Sequence, residues 1–283
     1  MSAIILDGKL LANKILDEVK IKAENFKKQH EFPPKLATIL VGEDEASKLY
    51  VNSKTKKCES SGICAENIFF NEDIDEEALL NKIEELNNDK TVHGMLVQQP
   101  FPKNFNTFKI INAVSPKKDV DGFHPASLGN ILYNKPLFIP CTPLGIMKLL
   151  KEYNIDIAGK NAVILGRSNI VGKPLALLLL NEHATVTICH TKTKDIKQTA
   201  LGADILISAI GRPNFVTGDM IKEGAVVVDV GINRINGKVT GDVDFEKVKE
   251  KASYITPVPG GVGPLTIAML LSNTVTAAEL SIK

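Results

Sequence analysis

Apolar and polar residues form two different patterns in the first half of the chain. In two long segments an apolar residue recurs every three or four positions, which predicts amphipathic helices over residues 7–29 and 75–88. Three short apolar runs predict buried strands, at residues 36–41, 68–70 and 92–97. Strands that alternate with helices are typical of a parallel α/β sheet with helices on its faces.

The same alternation resumes after residue 140. Four further apolar strands are predicted, at residues 161–165, 184–189, 205–209 and 225–230. A glycine-bounded turn, residues 166–174, joins the first of them to an apolar helix. A strand, a glycine turn and a helix in this order are typical of a dinucleotide-binding βαβ unit.

Composition narrows the classes of function. The chain has 34 Lys and Arg against 33 Asp and Glu, so it lacks the broad basic surface of a nucleic-acid binder. Its four cysteines form no Cys-x-x-Cys pair and complete no zinc pattern with the histidines, which predicts free thiols and no metal. No secretory signal begins the chain, and the longest apolar run, 175–180, is too short to cross a bilayer. We expect a soluble, cytoplasmic protein without nucleic-acid or membrane partners.

Ser47, Tyr50 and Lys54 form the first candidate site. They are spaced three and four residues apart in a segment predicted to be a helix that ends before Gly62, so their side chains should share one face. A hydroxyl, a phenol and an ammonium together can orient a polar substrate and move a proton. The alternative is a solvated helix face, since more lysines follow directly.

Gln98 comes directly after a predicted strand. Ligands of parallel sheets collect outside the carboxyl ends of strands, so its amide is expected to converge with Lys54. It can equally be an ordinary residue at the end of a strand. Asp119 and Asp121 lie in a polar loop that suits a surface turn, a weak metal site, or a carboxylate that accepts the paired N–H donors of a heterocycle.

The turn after the strand at 161–165 departs from the usual G-x-G-x-x-G pattern, because Ser168 stands where the second glycine is common. Small residues before a helix N-terminus still suit a pyrophosphate, although a turn without a ligand is the alternative. The next strand is followed by no acid until Asp195, and Arg167 and Lys192 are nearby. A cationic environment suits a 2′-phosphate, which favours NADP over NAD.

Residues 257–266 hold three glycines between prolines. So little side-chain bulk lets the backbone approach a flat ligand closely, and Pro264 suits the first turn of a terminal helix. A structural hinge is the alternative interpretation of this loop.

Five motifs occur together in one order, and together they are far more specific than any one alone. They are YVNSK at 50–54, QQP at 98–100, DVDGFHP at 119–125, GRS with VGKP at 166–174, and PVPGGVGP at 257–264. Over nearly its whole length the chain resembles the family of bifunctional methylenetetrahydrofolate dehydrogenase/methenyltetrahydrofolate cyclohydrolases.

This resemblance implies an α/β fold of two domains, usually in a homodimer. Residues 1–138 would form an N-terminal parallel α/β catalytic domain to which a C-terminal helix at 264–283 returns, and residues 139–263 would form a Rossmann-like domain that binds NADP. Folate would bind in a cleft between the domains. The implied activity is oxidation of 5,10-methylenetetrahydrofolate with NADP, followed by hydrolysis of the methenyl product to 10-formyltetrahydrofolate.

The resemblance also implies roles for individual residues. Lys54 would be the central catalytic group with Gln98 as its partner, while Tyr50 would pack along the folate and Asp121 would hold the pterin. Ser47, Gly263 and Pro264 would line the folate site. The NADP contacts would come from Gly166, Arg167, Ser168, Gly172, Thr191 and Ile232.

Two other functions compete with this one. Tyr-x-x-x-Lys also marks short-chain dehydrogenases, but there the pair follows the glycine turn in one domain, whereas Tyr50 precedes Gly166 by more than a hundred residues. A non-catalytic nucleotide-sensing module would bind NADP without turning over folate, and the expected convergence of Lys54, Gln98 and Asp121 argues against it.

Overall fold

The computed structural model describes residues 2–235 and 237–282, and the chain forms two compact units. The six-stranded unit consists of Met1–Asn13 and Thr142–Thr266. The three-stranded unit consists of Lys14–Cys141 and Ile267–Lys283. Each unit is therefore built from two separate stretches of the chain.

The helices are α1 Gly8–His30, α2 Glu45–Ser60, α3 Glu76–Asn88, α4 Thr107–Ala113, α5 Pro125–Leu132, α6 Cys141–Glu152, α7 Gly172–Asn181, α8 Ile196–Leu201, α9 Phe245–Val248 and α10 Val262–Ser281. The strands are β1 Ile4–Ile5, β2 Lys35–Val41, β3 Cys64–Phe70, β4 Gly94–Val97, β5 Asn161–Leu165, β6 Thr185–Cys189, β7 Ile205–Ser208, β8 Val226–Asp229, β9 Asn233–Ile235, β10 Lys238–Thr240 and β11 Tyr254–Ile255.

The three-stranded unit holds the parallel sheet β3-β2-β4, with β2 in the middle. Helix α3 begins at Asp75, whose carboxylate accepts a hydrogen bond from the amide of Ala78, and packs its apolar face into the core. Strand β3 is longer than the predicted 68–70, because it lies at the edge of the sheet and the polar residues Glu66 and Asn67 interrupt its apolar sequence.

The last part of α10 belongs to the three-stranded unit, as predicted for the C-terminal helix. Asn273 shows how it is attached: its Nδ2 donates a hydrogen bond to the carbonyl oxygen of Val120 at 2.8 Å. Because this amide is almost fully buried, its bond satisfies both the side chain and a buried carbonyl.

The six-stranded unit holds the sheet β1-β11-β8-β7-β5-β6, in which every pair is parallel. The predicted Rossmann-like βαβ order is confirmed. Its first strand in sequence is β1, which pairs with β11 through Ile4 opposite Tyr254 and Ile5 opposite Ile255. A two-residue strand has no apolar periodicity, so the sequence pattern gives no sign of it.

The sequence pattern also does not predict several short helices, among them α4, α5 and α8. Helix α5 begins at Pro125, and the Nδ1 atom of His124 accepts a hydrogen bond from the amide of Ala126 at 3.0 Å. This N-terminal cap uses an unusual residue type, which explains why the cap is hard to recognise. Within residues 2–235 and 237–282, none of the helices has the length and apolarity to cross a membrane.

Candidate functional site

Helix α2 carries the first set of predicted residues. It begins where Asp44 accepts a hydrogen bond from the amide of Ser47 at 2.8 Å. Lys54 lies one turn beyond Tyr50, and its Nζ is 4.2 Å from the centre of the Tyr50 ring, a cation–π distance. Only 5% of Lys54 is exposed, so the alternative of a solvated helix face is wrong for this residue.

Gln98 converges with this lysine, as expected from its place at the end of β4. Its amide N–H donates to the carbonyl oxygen of Ile39 at 2.8 Å, which continues the pairing of β4 with β2. Its Oε1 accepts a hydrogen bond from Nζ of Lys54 at 3.0 Å, and its Nε2 donates to the carbonyl oxygen of Gln99 at 2.6 Å. The second bond fixes which end of the amide faces the lysine.

The two aspartates of the polar loop between α4 and α5 have different roles. Asp119 accepts hydrogen bonds from the amides of Phe123 and His124 and from the hydroxyl of Ser127, at 3.1, 2.8 and 3.0 Å. Its carboxylate therefore holds the loop together, and burial raises its pKa to about 7. Among the described residues no group of three or more His, Cys, Asp or Glu is placed to hold a metal ion.

Asp121 is the carboxylate that interacts with Lys54. Burial raises the pKa of Asp121 and lowers the pKa of Lys54, while the attraction between the two charges opposes both shifts. Burial and the negative charge of Asp121 also raise the pKa of Tyr50 well above its usual value, so the phenol stays protonated. The three-stranded unit thus gathers an amine whose pKa is lowered by burial, a carboxylate, an amide and a phenol.

The glycine turn of the six-stranded unit follows β5. Gly166 has a φ of +115°, and a Cβ there would collide with the carbonyl oxygen of Ala209, so the position requires glycine. The Oγ of Ser168 accepts hydrogen bonds from the amides of Val171 and Gly172, at 3.1 and 3.4 Å. Ser168 therefore replaces the missing glycine with a side chain that shapes the start of α7.

A cavity of about 280 Å³ opens beside this turn. It lies after strands β5, β6 and β7, whose last residues Leu165, Cys189 and Ser208 are paired in register. Predicted residues Gly166, Arg167 and Thr191 line it. Gly172 is not part of this lining and instead packs its backbone against Gly166.

The cavity also has walls that the motifs did not indicate, formed by His190, Arg212 and Phe215. In the sequence, Arg212 is notable only because arginine is rare in this chain, whose cationic residues are nearly all lysines. No acidic residue is found among the described residues of the lining. Asp195, the first acid after β6, is occupied in capping α8, where it accepts a hydrogen bond from the amide of Gln198 at 3.0 Å. A lining with arginine, histidine and threonine side chains and no carboxylate fits a phosphorylated nucleotide.

A second cavity of the same unit, of about 120 Å³, is lined largely by residues 257–264, the segment with three glycines between prolines. Gly263 and Pro264 line it together with Ile232, which is 66% exposed. A Cβ on Gly263 would lie 3.8 Å from Cδ1 of Ile232. Two residues predicted for the folate site and one predicted for the NADP site thus share one cavity.

Comparison with known families gives a match for each half of the chain. The catalytic domain of tetrahydrofolate dehydrogenase/cyclohydrolase matches residues 6–121, and the NAD(P)-binding domain of the same family matches residues 140–282. The bifunctional protein FolD of Halalkalibacterium halodurans is 54% identical over 279 residues, which cover 99% of this chain and 100% of that protein. The Aquifex aeolicus FolD is 56% identical, over 96% of this chain and 94% of that protein.

Solved structures agree with these matches. The bifunctional FolD methylenetetrahydrofolate dehydrogenase/cyclohydrolase of Campylobacter jejuni superposes with a TM-score of 0.97 at 52% identity, and the match covers 99% of both chains. The Trypanosoma brucei enzyme, crystallised with NADP cofactor and inhibitor, gives a TM-score of 0.96 at 35% identity over 100% of this chain and 99% of that chain. This chain therefore belongs to the tetrahydrofolate dehydrogenase/cyclohydrolase family, as its motifs predict.

Proposed function

We propose that Lys54 carries the proton in the hydrolytic half of the dehydrogenase and cyclohydrolase activity that this chain has by its family. The observation that supports this role is a buried amine whose Nζ meets the Oε1 of Gln98 and the ring of Tyr50. Because burial lowers its pKa, a larger share of Lys54 is neutral near pH 7 than of an ordinary lysine.

The substrate of the hydrolysis is the methenyl product of the oxidation, in which a cationic carbon bridges two nitrogens. Water adds to this carbon, one carbon–nitrogen bond breaks, and the released nitrogen gains a proton as the formyl group forms. In our proposal the neutral amine of Lys54 takes one proton from the attacking water and returns it to the departing nitrogen. The second proton of that water leaves to solvent as the carbonyl of the formyl group forms, which balances the positive charge of the methenyl substrate. Gln98 orients the amine, because its own amide is fixed by Gln99.

Asp121 and Tyr50 suit the folate itself. The amino-pyrimidine edge of a pterin presents adjacent N–H donors, and a carboxylate can accept two of them in parallel. Tyr50 stays protonated, so it offers an uncharged aromatic face, and Ser47 lies three residues before it on α2. Gly263 and Pro264, in the first turn of α10, are proposed as folate residues because they belong to the family motif at 257–264.

NADP is the cofactor of the oxidation, and when bound it accepts a hydride from the folate methylene. We assign its phosphate and ribose groups to the cavity lined by Gly166, Arg167 and Thr191, next to Ser168 and Gly172 in the glycine turn. Ile232 suits the hydride-accepting end, because it shares its cavity with the proposed folate residues. The homodimer and the cytoplasmic location stay predictions, and sedimentation equilibrium tests the first.

Replacement of Lys54 by methionine tests the assignment. Methionine keeps an unbranched, buried side chain but cannot carry a proton, so hydrolysis of methenyltetrahydrofolate supplied directly should slow by about 100-fold or more. The Kd of NADP, measured by calorimetry, should stay within about twofold, since the proposed NADP residues belong to the other unit.

Lys57→Met is the matched control, because Lys57 is an exposed lysine on the same helix. It should hydrolyse methenyltetrahydrofolate at the wild-type rate. Full hydrolytic activity in Lys54→Met would reject the role of Lys54, and loss of activity in both variants would show that the helix tolerates no methionine.

A further inference from the structure

Arg212 stands out among the residues that the motifs did not indicate. The arginines of the chain are Arg167, Arg212 and Arg234, and the first two line the same cavity. Arginine presents a planar fork of N–H donors that matches a phosphate in a way that lysine does not. Two arginines in one cavity, in a chain that uses lysine almost everywhere else, indicate a place built for phosphate.

The position of Arg212 follows from the sheet. Strands β5, β6 and β7 end level with one another, so the segments that follow them meet around one space. Arg167 comes from the segment after β5, Thr191 from the one after β6, and Arg212 from the one after β7. Arg212 therefore faces the cavity from a different strand than Arg167 does.

The backbone of Arg212 is held by Asp242. This carboxylate is fully buried and accepts hydrogen bonds from three consecutive amides, those of Ile210, Gly211 and Arg212, at 2.8, 3.2 and 2.9 Å. It also accepts from the hydroxyl of Ser208 at 3.2 Å and from Nδ2 of Asn233 at 3.0 Å. With both oxygens occupied, Asp242 fixes the loop but does not neutralise the guanidinium by an ion pair.

The side chain of Arg212 is oriented as well. Its Cζ lies 4.5 Å from the centre of the Phe215 ring, and Phe215 lines the same cavity. Stacking on an aromatic ring uses one face of the guanidinium and leaves its N–H donors free. Within the described part of the chain the guanidinium of Arg212 has no carboxylate partner, so its charge is available to a ligand.

We propose that Arg212 is a second recognition residue for the 2′-phosphate of NADP and so contributes to the choice of NADP over NAD. The inference rests on the proposed NADP site and adds a residue to it. Arg167 and Arg212 would hold the phosphate from two sides, and Asp242 would act as a positioning residue that keeps the loop of Arg212 in place.

The test is direct binding, measured by titration calorimetry. In Arg212→Gln, which keeps a planar polar group but loses the charge, the Kd of NADP and of adenosine 2′,5′-bisphosphate should rise about 10-fold. The Kd of NAD and of 5′-AMP should stay within about twofold, because neither carries a 2′-phosphate. Arg212→Lys, which keeps the charge and loses the fork, should fall in between. Arg234→Gln removes an exposed arginine outside the cavity and is the matched control.

The same titrations separate this inference from the site on which it rests. If Arg167→Gln weakens NADP and Arg212→Gln does not, the NADP site stands and the role of Arg212 is wrong. If neither variant weakens NADP, the cavity is not the NADP site. Equal weakening of NADP and NAD in Arg212→Gln would overturn the 2′-phosphate role in favour of stacking on adenine. Thermal unfolding of each variant, monitored by circular dichroism, verifies that the variant is folded.

Discussion

Lys54 and Asp121 influence each other because both are withdrawn from water. Burial removes the water that would stabilise a charged amine or a charged carboxylate. Burial alone therefore favours the neutral form of both groups. Each charge stabilises the other and limits that effect. The protonation of Lys54 therefore depends on whether Asp121 is ionised, and this dependence can be measured.

In Asp121→Asn the pKa of Lys54 should fall further below its usual value. The substitution removes the negative charge that favours the ammonium, while burial continues to favour the neutral amine. The amine then loses its proton at a lower pH, so the rising limb of the pH profile of kcat for hydrolysis should move towards acid. Substrate binding should weaken at the same time, because Asp121 is the proposed pterin acceptor.

Nitrogen-15 NMR of the lysine side chains measures the pKa of Lys54 directly, with Lys54→Met to assign its signal. Glu59→Gln, which removes an exposed carboxylate from the same helix, is the control and should leave the limb in place. A limb that moves towards higher pH in Asp121→Asn would contradict the attraction between the two groups.

At the scale of elements, the glycine turn shows how one backbone position shapes a cavity. Gly166 follows β5 with a positive φ and touches the backbone of Ala209, the residue after β7. Because L side chains rarely adopt this conformation and no space exists for a Cβ, the turn can lie close to the neighbouring loop only with glycine. That close approach sets the distance between two walls of the proposed NADP site.

Gly166→Ala should therefore weaken NADP binding as well as stability. Gly159→Ala is a matched control, since Gly159 also has a positive φ, belongs to the same unit and has open space around it. The control should lose about 1–2 kcal/mol of unfolding free energy, from backbone conformation alone. Gly166→Ala should lose more, because Ala209 must move, and its Kd for NADP should rise at least about 10-fold.

Urea unfolding and calorimetry of both variants give these two quantities. Equal losses of stability in the two variants, with unchanged NADP affinity, would show that the contact between Gly166 and Ala209 has no consequence for the cavity.

At the scale of the whole molecule, what the sequence could predict depends on the range of the interactions. The pairing of Tyr50 with Lys54 follows from helical spacing, and the approach of Gln98 follows from the rule that ligand groups gather at strand ends. The bonds from Asp242 to the loop of Arg212 join segments about 30 residues apart through irregular backbone, where no periodic pattern exists. The family motifs supplied the activity, but the second arginine of the cavity became visible only in three dimensions.

The start of the chain shows the same limit over a greater distance. The amide of Leu6 donates to the carbonyl oxygen of Ile255 at 2.8 Å, so the first residues extend the six-stranded sheet. Helix α1 begins in this unit and contributes most of its length to the other. A sequence pattern predicts that a helix forms here, but it does not say with which sheet the residues before it pair.

Leu6→Ala should therefore destabilise the six-stranded unit in particular. Leu6 is fully buried, so the cavity left by its side chain should reduce the unfolding free energy by about 2–5 kcal/mol. Leu10→Ala is the matched control, because Leu10 belongs to the same unit but is 55% exposed, and it should lose less than about 1 kcal/mol. Hydrogen exchange resolves the location: in Leu6→Ala the amides of β8 and β11 should exchange faster, while those of β2 keep their protection. Faster exchange in β2 with no change in β11 would mean that the first residues stabilise the other unit.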